Sequence, residues 1–426
     1  MVFAPRVAVS LALVACAAGC ALPEEALDAP DGPPPRAAAP GEWVVADDRL
    51  GAVQLHRTGE EASLPILPLE GAESLTLSFD LLGQEAGEPL DVTFVHTDRL
   101  GRETLLPPEY LTGFERDDIR DWERSSSVSA QPYVHYEYVF PNSVVGFSVS
   151  GNYRVVVSRS DGTTLLEAPF YITEQAADVE LLFGSAIQGG SVGTSIQPAA
   201  RLRPDARLGD FDASFYTVCF ARDGLLEGLR CAPEPSVVDL ALFQFYLPRE
   251  DVFGPGAPLF EVDLGFLGLN TEVVDVDRSA RPPTATLDLD YAEFGGDVRD
   301  PVLASVPLIE AAYDDVGQAN VDAQYVSVRF RYVPPNGRPA GRSVHVRGSF
   351  NGWRATPASE LTWVPAERRY EGEVLIKQGR YVYGFTPPPD RATTFGQPSL
   401  FTAFVYLSDP QRFTDRLVAV QSGIAR

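Results

Sequence analysis

The feature that most constrains this chain is a two-residue apolar period that recurs in short runs and never gives way to a helical one. SLTLSF sets Leu75, Leu77 and Phe79 on one face. DVTFVH does the same with Val92 and Phe94, and GNYRVVV with Tyr153, Val155 and Val157. Successive side chains of an extended strand point to opposite faces, so each run reads as a half-buried strand. Gly, Pro, Asn and Asp punctuate the runs; Asp161-Gly162, for example, turns the chain back through Phe170 and Ile172. No segment keeps an apolar period of 3.6 for more than one or two turns. The predicted fold class is all-β: tandem immunoglobulin-like antiparallel β-sandwich domains.

A chain of 426 residues has room for several such units. Residues 42–175 read as an N-terminal β-sandwich. Residues 176–321 read as a middle β domain with linking strands, carrying VELLFGS, FYTVCFA, ALFQFYLP and PLFEVDLGF. Residues 322–426 read as a C-terminal sandwich, with YVSVRFRYV, SVHVRGSF, YEGEVLI, RYVYGF and FTAFVYLS as its strands. Within it, IKQGRYVYGF has the form of a Gly-tipped aromatic hairpin. Aromatic pairs at strand spacing, such as Tyr136 with Tyr138, Phe243 with Phe245 and Tyr381 with Tyr383, are expected to pack in cores or across strands.

The first 20 residues have the form of an export signal of lipoprotein type. MVFAPR is a short basic start, and VAVSLALVA is an apolar run too short to span a bilayer. Cys16 in LVAC and Cys20 in AAGC each resemble a lipobox cysteine, the residue that is acylated. Cys16 fits the preferred residues better, whereas Cys20 leaves the more usual length of apolar run and is favoured. The bland alternative is an ordinary cleaved signal with incidental cysteines. Residues 21–41, ALPEEALDAPDGPPPRAAAPG, carry no apolar period and read as a disordered Pro, Ala and acidic tether. In an oxidising compartment Cys219 and Cys231, twelve apart across a Gly-containing hairpin, are candidate disulfide partners, and closing that loop would contribute about 3 kcal/mol. Two buried free thiols remain the alternative.

The formal net charge is −25, and Lys377 is the sole lysine. Such a surface repels phosphate backbones, which excludes nucleic acid as a partner. Chemistry finds little support. His56, His96, His135 and His345 show no metal-ligand spacing. The sharp alternative joins His96, Asp98 and His135 in an acid-base or metal cluster; hydrogen-bonded strand histidines are the simpler reading. No GxSxG is present, the Gly-rich stretches lack a following GK[ST], and the many carboxylates read as solvated charge. No catalytic, cofactor-binding or metal residue is expected, and no small-molecule substrate.

Taken in order, LEGAESLTLSFDLLG, FVHTD, PEYLTGF, YVHYEYVFPN and SGNYRVVV resemble the N-terminal domain of type IX secretion system plug proteins. AQYVSVRF, VRGSFNGW and LIKQGRYVYGF are similar to later segments of that family, in the same order. The chain departs from the family in the middle, where FGPGAPLFEVDLGF stands in place of an Asn-Glu-Phe-Arg-type segment. The resemblance implies a non-enzymatic binding role. Its implied partner is the outer-membrane translocon barrel, whose channel the plug closes between transport events. The implied location is the periplasmic face of the outer membrane, with a lipid anchor. The stretch HVRGSFNGW is also similar to starch- and glycogen-binding early-set modules, which implies an alternative: a carbohydrate-binding surface lipoprotein. On that reading Trp353 stacks on a sugar, with Trp363 and Lys377 nearby in sequence. The second stacking Trp of those modules is missing, and Phe395 is the nearest substitute.

Overall fold

The computed structural model describes residues 41–425, apart from residues 85, 126–128, 187–194, 240–241, 255–256, 297, 312–318 and 387–398. The expected signal and most of the tether, with Cys16 and Cys20, lie outside the described residues, as does Phe395. Two four-residue helical turns, Pro107–Tyr110 and Ala319–Asp322, are the α-helices among the described residues. Everything else regular is strand or 3₁₀ turn, so the all-β class holds.

The first sandwich follows directly from the two-residue period. One sheet orders Leu50–Arg57, Leu75–Leu82, Tyr133–Phe140 and Trp122–Arg124. The other orders Val44–Val45, Thr164–Thr173, Gly151–Arg159, Leu90–Thr97 and Arg116–Ile119, with Ile66–Pro68 parallel to Thr164–Thr173. Leu75, Leu77, Phe79, Val92, Phe94, Tyr153, Val155, Val157, Phe170 and Ile172 all enter one core. Phe140 stands 5.0 Å from both Phe94 and Phe170 at its centre. Tilted and edge-to-face ring pairs of this kind add about 0.5–1.5 kcal/mol each beyond their buried area.

The other two sandwiches do not respect the boundaries expected at 176–321 and 322–426. One sheet of the second sandwich is Ala177–Ala186, Ser195–Pro204, Leu242–Tyr246 and Val237–Asp239. Its facing sheet is Leu225–Ala232, Tyr216–Arg222, Ser399–Asp409 and Thr414–Ala425. The last two strands of the chain thus complete the middle sandwich, with Tyr216 opposite Leu407 and Arg222 opposite Phe401. Conversely, Phe260–Asp263, Val273–Asp277, Thr284–Tyr291 and Leu308–Ile309 join the nine-stranded sheet of the third sandwich. The physical reason is that alternation marks a strand and its buried face but carries no information about its neighbour. Pairing here is long-range: Phe260–Asp263 takes Gly379–Thr386 as its partner.

The stretch IKQGRYVYGF is likewise not a hairpin. Arg369–Lys377 pairs with Tyr325–Val333 and Glu360–Val364, whereas Gly379–Thr386 pairs with Phe260–Asp263 and Val344–Gly348. Residues 377–379 carry the chain from one half of the nine-stranded sheet to the other, and the two halves enclose a common core. Gly379 makes this corner possible. Its φ is +155°, and a Cβ there would lie 2.3 Å from the Leu308 carbonyl oxygen. All six residues of the aromatic pairs named above are buried.

His96 lies edge-on to Tyr153 at 4.9 Å and 5.6 Å from Tyr110, wholly shielded from solvent. Its Nε2 faces the Ser150 carbonyl at 3.3 Å, and its Nδ1 has no partner. Burial pushes its pKa down to about 4. The unfolded chain binds a proton at higher pH than the folded one, so this stabilisation is complete above pH 6.5 and is lost as pH falls through 4. The expected loss is about 3 kcal/mol across that window. Urea denaturation at a series of pH values should show a shallower decline for His96→Phe than for the parent; identical slopes would remove His96 as the cause.

Candidate functional site

Strand Leu75–Leu82 turns Leu75, Leu77, Phe79 and Leu81 into the core of the first sandwich, which leaves Thr76, Ser78 and Asp80 on the outer face. That face is nevertheless closed: the three are 6%, 1% and 0% exposed. The third sandwich covers it. Asp80 lies opposite His135 on the neighbouring strand, and His135 Nδ1 stands 2.7 Å from its Oδ1. From the third sandwich, the Tyr325 hydroxyl donates to Asp80 Oδ2 at 2.8 Å and Lys377 Nζ donates to the same oxygen at 2.7 Å. Lys377 also donates to the Asn320 carbonyl and sits 4.3 Å from the centre of the Tyr133 ring. Tyr133 donates onward to the Ala323 carbonyl at 2.8 Å.

The sole lysine of the chain is therefore a buried cross-link between two sandwiches. Desolvation pushes its pKa down, and the Asp80 carboxylate opposes that shift. The approach of Tyr325 depends on Gly51, since a Cβ there would lie 2.3 Å from the Tyr325 hydroxyl oxygen. Gln54 adds a further link, donating to the Pro307 carbonyl at 2.8 Å.

A second seam joins the first sandwich to the second. Arg99 pairs with Asp415 at 2.7 Å and Arg416 with Glu174 at 2.6 Å. Tyr406 donates to Asn152 Oδ1 at 2.9 Å, and Tyr171 packs 4.8 Å from Phe404. Each of these contacts uses the strands at the end of the chain, the ones that return to the middle sandwich.

Where the three sandwiches meet there is a cavity of about 300 Å³. Segment 41–53 of the first, the turn at 224–228 of the second and the 347–354 stretch of the third line it. HVRGSFNGW is that third wall. Its Ser349–Asn351 3₁₀ turn leads into Gly352 and Trp353, both left-handed with φ of 58°. Asn351 fixes the turn by accepting from the Gly348 amide at 3.0 Å and donating to the Arg354 carbonyl at 3.1 Å. Trp353 packs against Ala304 and Val382, and its indole N–H donates to the Ala304 carbonyl at 2.5 Å.

The sequence-predicted residues fall in separate places. Trp353 lines the cavity, while Trp363 packs on the third core, 5.0 Å from Tyr370. Lys377, close to both in sequence, is buried at Asp80. Cys219 and Cys231 are disulfide-bonded across paired strands, Cα atoms 3.9 Å apart, with the turn made by Asp223 and Gly224 at positive φ. His135 serves Asp80 and His96 serves the other sheet, with Asp98 capping its own loop through Leu100 and Arg102. His56 and His345 face backbone carbonyls of Arg57 and Thr356. Among the described residues no group of three or more His, Cys, Asp or Glu is placed to hold a metal ion. No described helix is long and apolar enough to cross a membrane. Sequence reading missed Asp80, Trp43, Arg347 and Arg354; the one available signal for Asp80 was an acid inside an otherwise apolar and hydroxyl-bearing strand.

Residues 50–174 match the model of the type 9 secretion system plug protein 1st domain. The family resemblance read from the sequence therefore stands over the first sandwich. That family is a secretion component rather than a known enzyme family. Among solved structures, a hypothetical protein from Parabacteroides merdae ATCC 43184 superposes with a TM-score of 0.78 at 20% identity, covering 90% of this chain and 99% of its own. It shares the fold. A biofilm associated protein BSP domain aligns at a TM-score of only 0.14 and 6% identity, over 92% of this chain and 61% of its own, which carries no argument. No curated protein matches the chain.

The Asp80–Lys377 pair predicts a specific double-mutant outcome. Removing one partner leaves a buried charge uncompensated, so Asp80→Asn and Lys377→Met should each cost about 3–5 kcal/mol in urea denaturation. The double variant should cost well under the sum of the two, because no charge is then left alone. Strict additivity would mean that the two groups do not stabilise each other.

Proposed function

We propose that this chain is a non-enzymatic plug of a type IX secretion system, which binds the outer-membrane translocon barrel from the periplasmic side and closes its channel between transport events. The observation that carries the reading is the match of residues 50–174 to the plug protein first domain. The architecture supports it. A body that stops a wide pore must not deform under solute pressure or part along its domain seams, and both seams of the first sandwich are held by buried charge and aromatic contacts. The reading includes an exported chain held at the membrane by a lipid on Cys20 or Cys16, which raises its effective concentration beside the barrel.

Affinity purification of the full chain from outer membranes, read by mass spectrometry, should enrich a large barrel protein in near-equal amount. Deleting the chain should make cells permeable to large antibiotics while the barrel is present, and deleting both should restore the barrier. Neither enrichment nor leakage would leave a periplasmic scaffold as the better reading.

A further inference from the structure

The cavity at the three-sandwich junction holds two arginines that lack carboxylate partners in a chain where acids far outnumber bases, 59 to 34. Several other guanidinium groups are paired with acids: Arg49, Arg99, Arg159 and Arg416 each hold one or more. Arg347 is different. Its side chain makes no hydrogen bond or ion pair among the described residues, and its Nε is both buried and without a partner. Arg354 donates Nε to the Asn351 carbonyl at 3.1 Å and Nη1 to the Val45 carbonyl at 3.2 Å, which leaves Nη2 over. Burial pushes the pKa of both groups down. A half-buried cation whose nearest acids act only at a distance is costly, and the cost is relieved by an anion with matching geometry.

The rest of the lining says what kind of anion. Trp43, Phe350 and Trp353 supply flat apolar walls. Glu227 lines the same space and acts on Arg347 through its field alone, and Asp48 acts likewise on Arg354, neither with a hydrogen bond. Two guanidinium groups whose charge is partly offset by Glu227 and Asp48 suit a monoanion better than a phosphate dianion. The planar donor fork of arginine matches the two oxygens of a carboxylate. A volume near 300 Å³ sits at the lower end of small-ligand sites.

We propose that this junction cavity binds a small monocarboxylate with a flat apolar body, its carboxylate held by Arg347 and Arg354 and its body between Trp43 and Trp353. The inference is independent of any barrel partner. The same chemistry is offered by a free aromatic acid and by the carboxy-terminus of a peptide ending in an aromatic residue.

Isothermal titration calorimetry on the full chain tests it with four probes: phenylacetate, phenylacetamide, an N-acetylated tripeptide ending in Phe, and inorganic phosphate. Phenylacetate should bind saturably, and phenylacetamide and phosphate at least about tenfold more weakly, a difference of ~1.4 kcal/mol. Binding of the tripeptide as tight as phenylacetate or tighter would assign the site to peptide ends; weaker binding would assign it to free acids. Arg347→Gln and Arg354→Gln should each weaken phenylacetate binding by about tenfold or more. Arg347→Lys, which keeps the charge and loses the fork, should recover only part of it. Circular dichroism and melting temperature show whether each variant is folded, and any one that is folded suffices. Equal binding of acid and amide, undiminished binding in a folded Arg347→Gln, or no saturable binding of any probe overturns the proposal.

Discussion

The structure turns on a single buried carboxylate. Asp80 sits on the outward face of a strand whose other face builds the first core, and four groups from two sandwiches converge on it or on its partner. A carboxylate fully removed from water is tolerable only when it is paired and its lone pairs are occupied. Here Oδ1 faces His135, while Oδ2 accepts from Tyr325 and Lys377. Two of those three partners come from the third sandwich, so Asp80 cannot be satisfied unless that sandwich docks in one register. A purely apolar seam would hold two sheets together over a range of slides; this one tolerates a single arrangement.

That constraint explains why other residues near the seam are small or polar. Gly51 has no Cβ because the Tyr325 hydroxyl occupies the place where one would be. Ser78 donates to Gln54, and Gln54 donates across to the Pro307 carbonyl, so the buried polar stripe is satisfied by its own members and the covering sandwich. The corner at residues 377–379 brings Lys377 to Asp80 only because Gly379 lets the chain pass within touching distance of Leu308. Three features that look unrelated along the chain, a glycine in an early strand, a late glycine and the sole lysine, answer to one carboxylate.

How much of this was legible in the sequence depends on which interaction wrote it. The two-residue period is a local consequence of strand geometry, and it identified the inward positions of the first sandwich, from Leu75 through Val157. Asp-Gly turns are local too, and the Asp223-Gly224 hairpin set Cys219 opposite Cys231. Strand partners are not local. The return of residues 399–425 to the middle sandwich, and the enrolment of Phe260–Asp263 in the third, depend on surfaces that exist only after both sheets form. The same holds for Asp80. An acid on the solvent face of a half-buried strand looks like any solvated charge until the covering sandwich is in place.

The interleaving of the second and third sandwiches bears on how the body resists being pulled apart. In a string of independent domains, each seam opens at the cost of its own contacts. Here the chain passes from the second sandwich to the third and back, so separating them means withdrawing the strands Ser399–Asp409 and Thr414–Ala425 from the sheet led by Tyr216–Arg222. That costs a full ladder of backbone hydrogen bonds and exposes Phe401, Val405 and Val418 of the second core. The same two strands carry Asp415, Arg416, Phe404 and Tyr406, which grip the first sandwich. The end of the chain is thus a bolt through two domains, while Lys377 at Asp80 fastens the remaining pair. Each sandwich is held to its neighbours by groups that also belong to its own sheets, so no seam can loosen without disturbing a core.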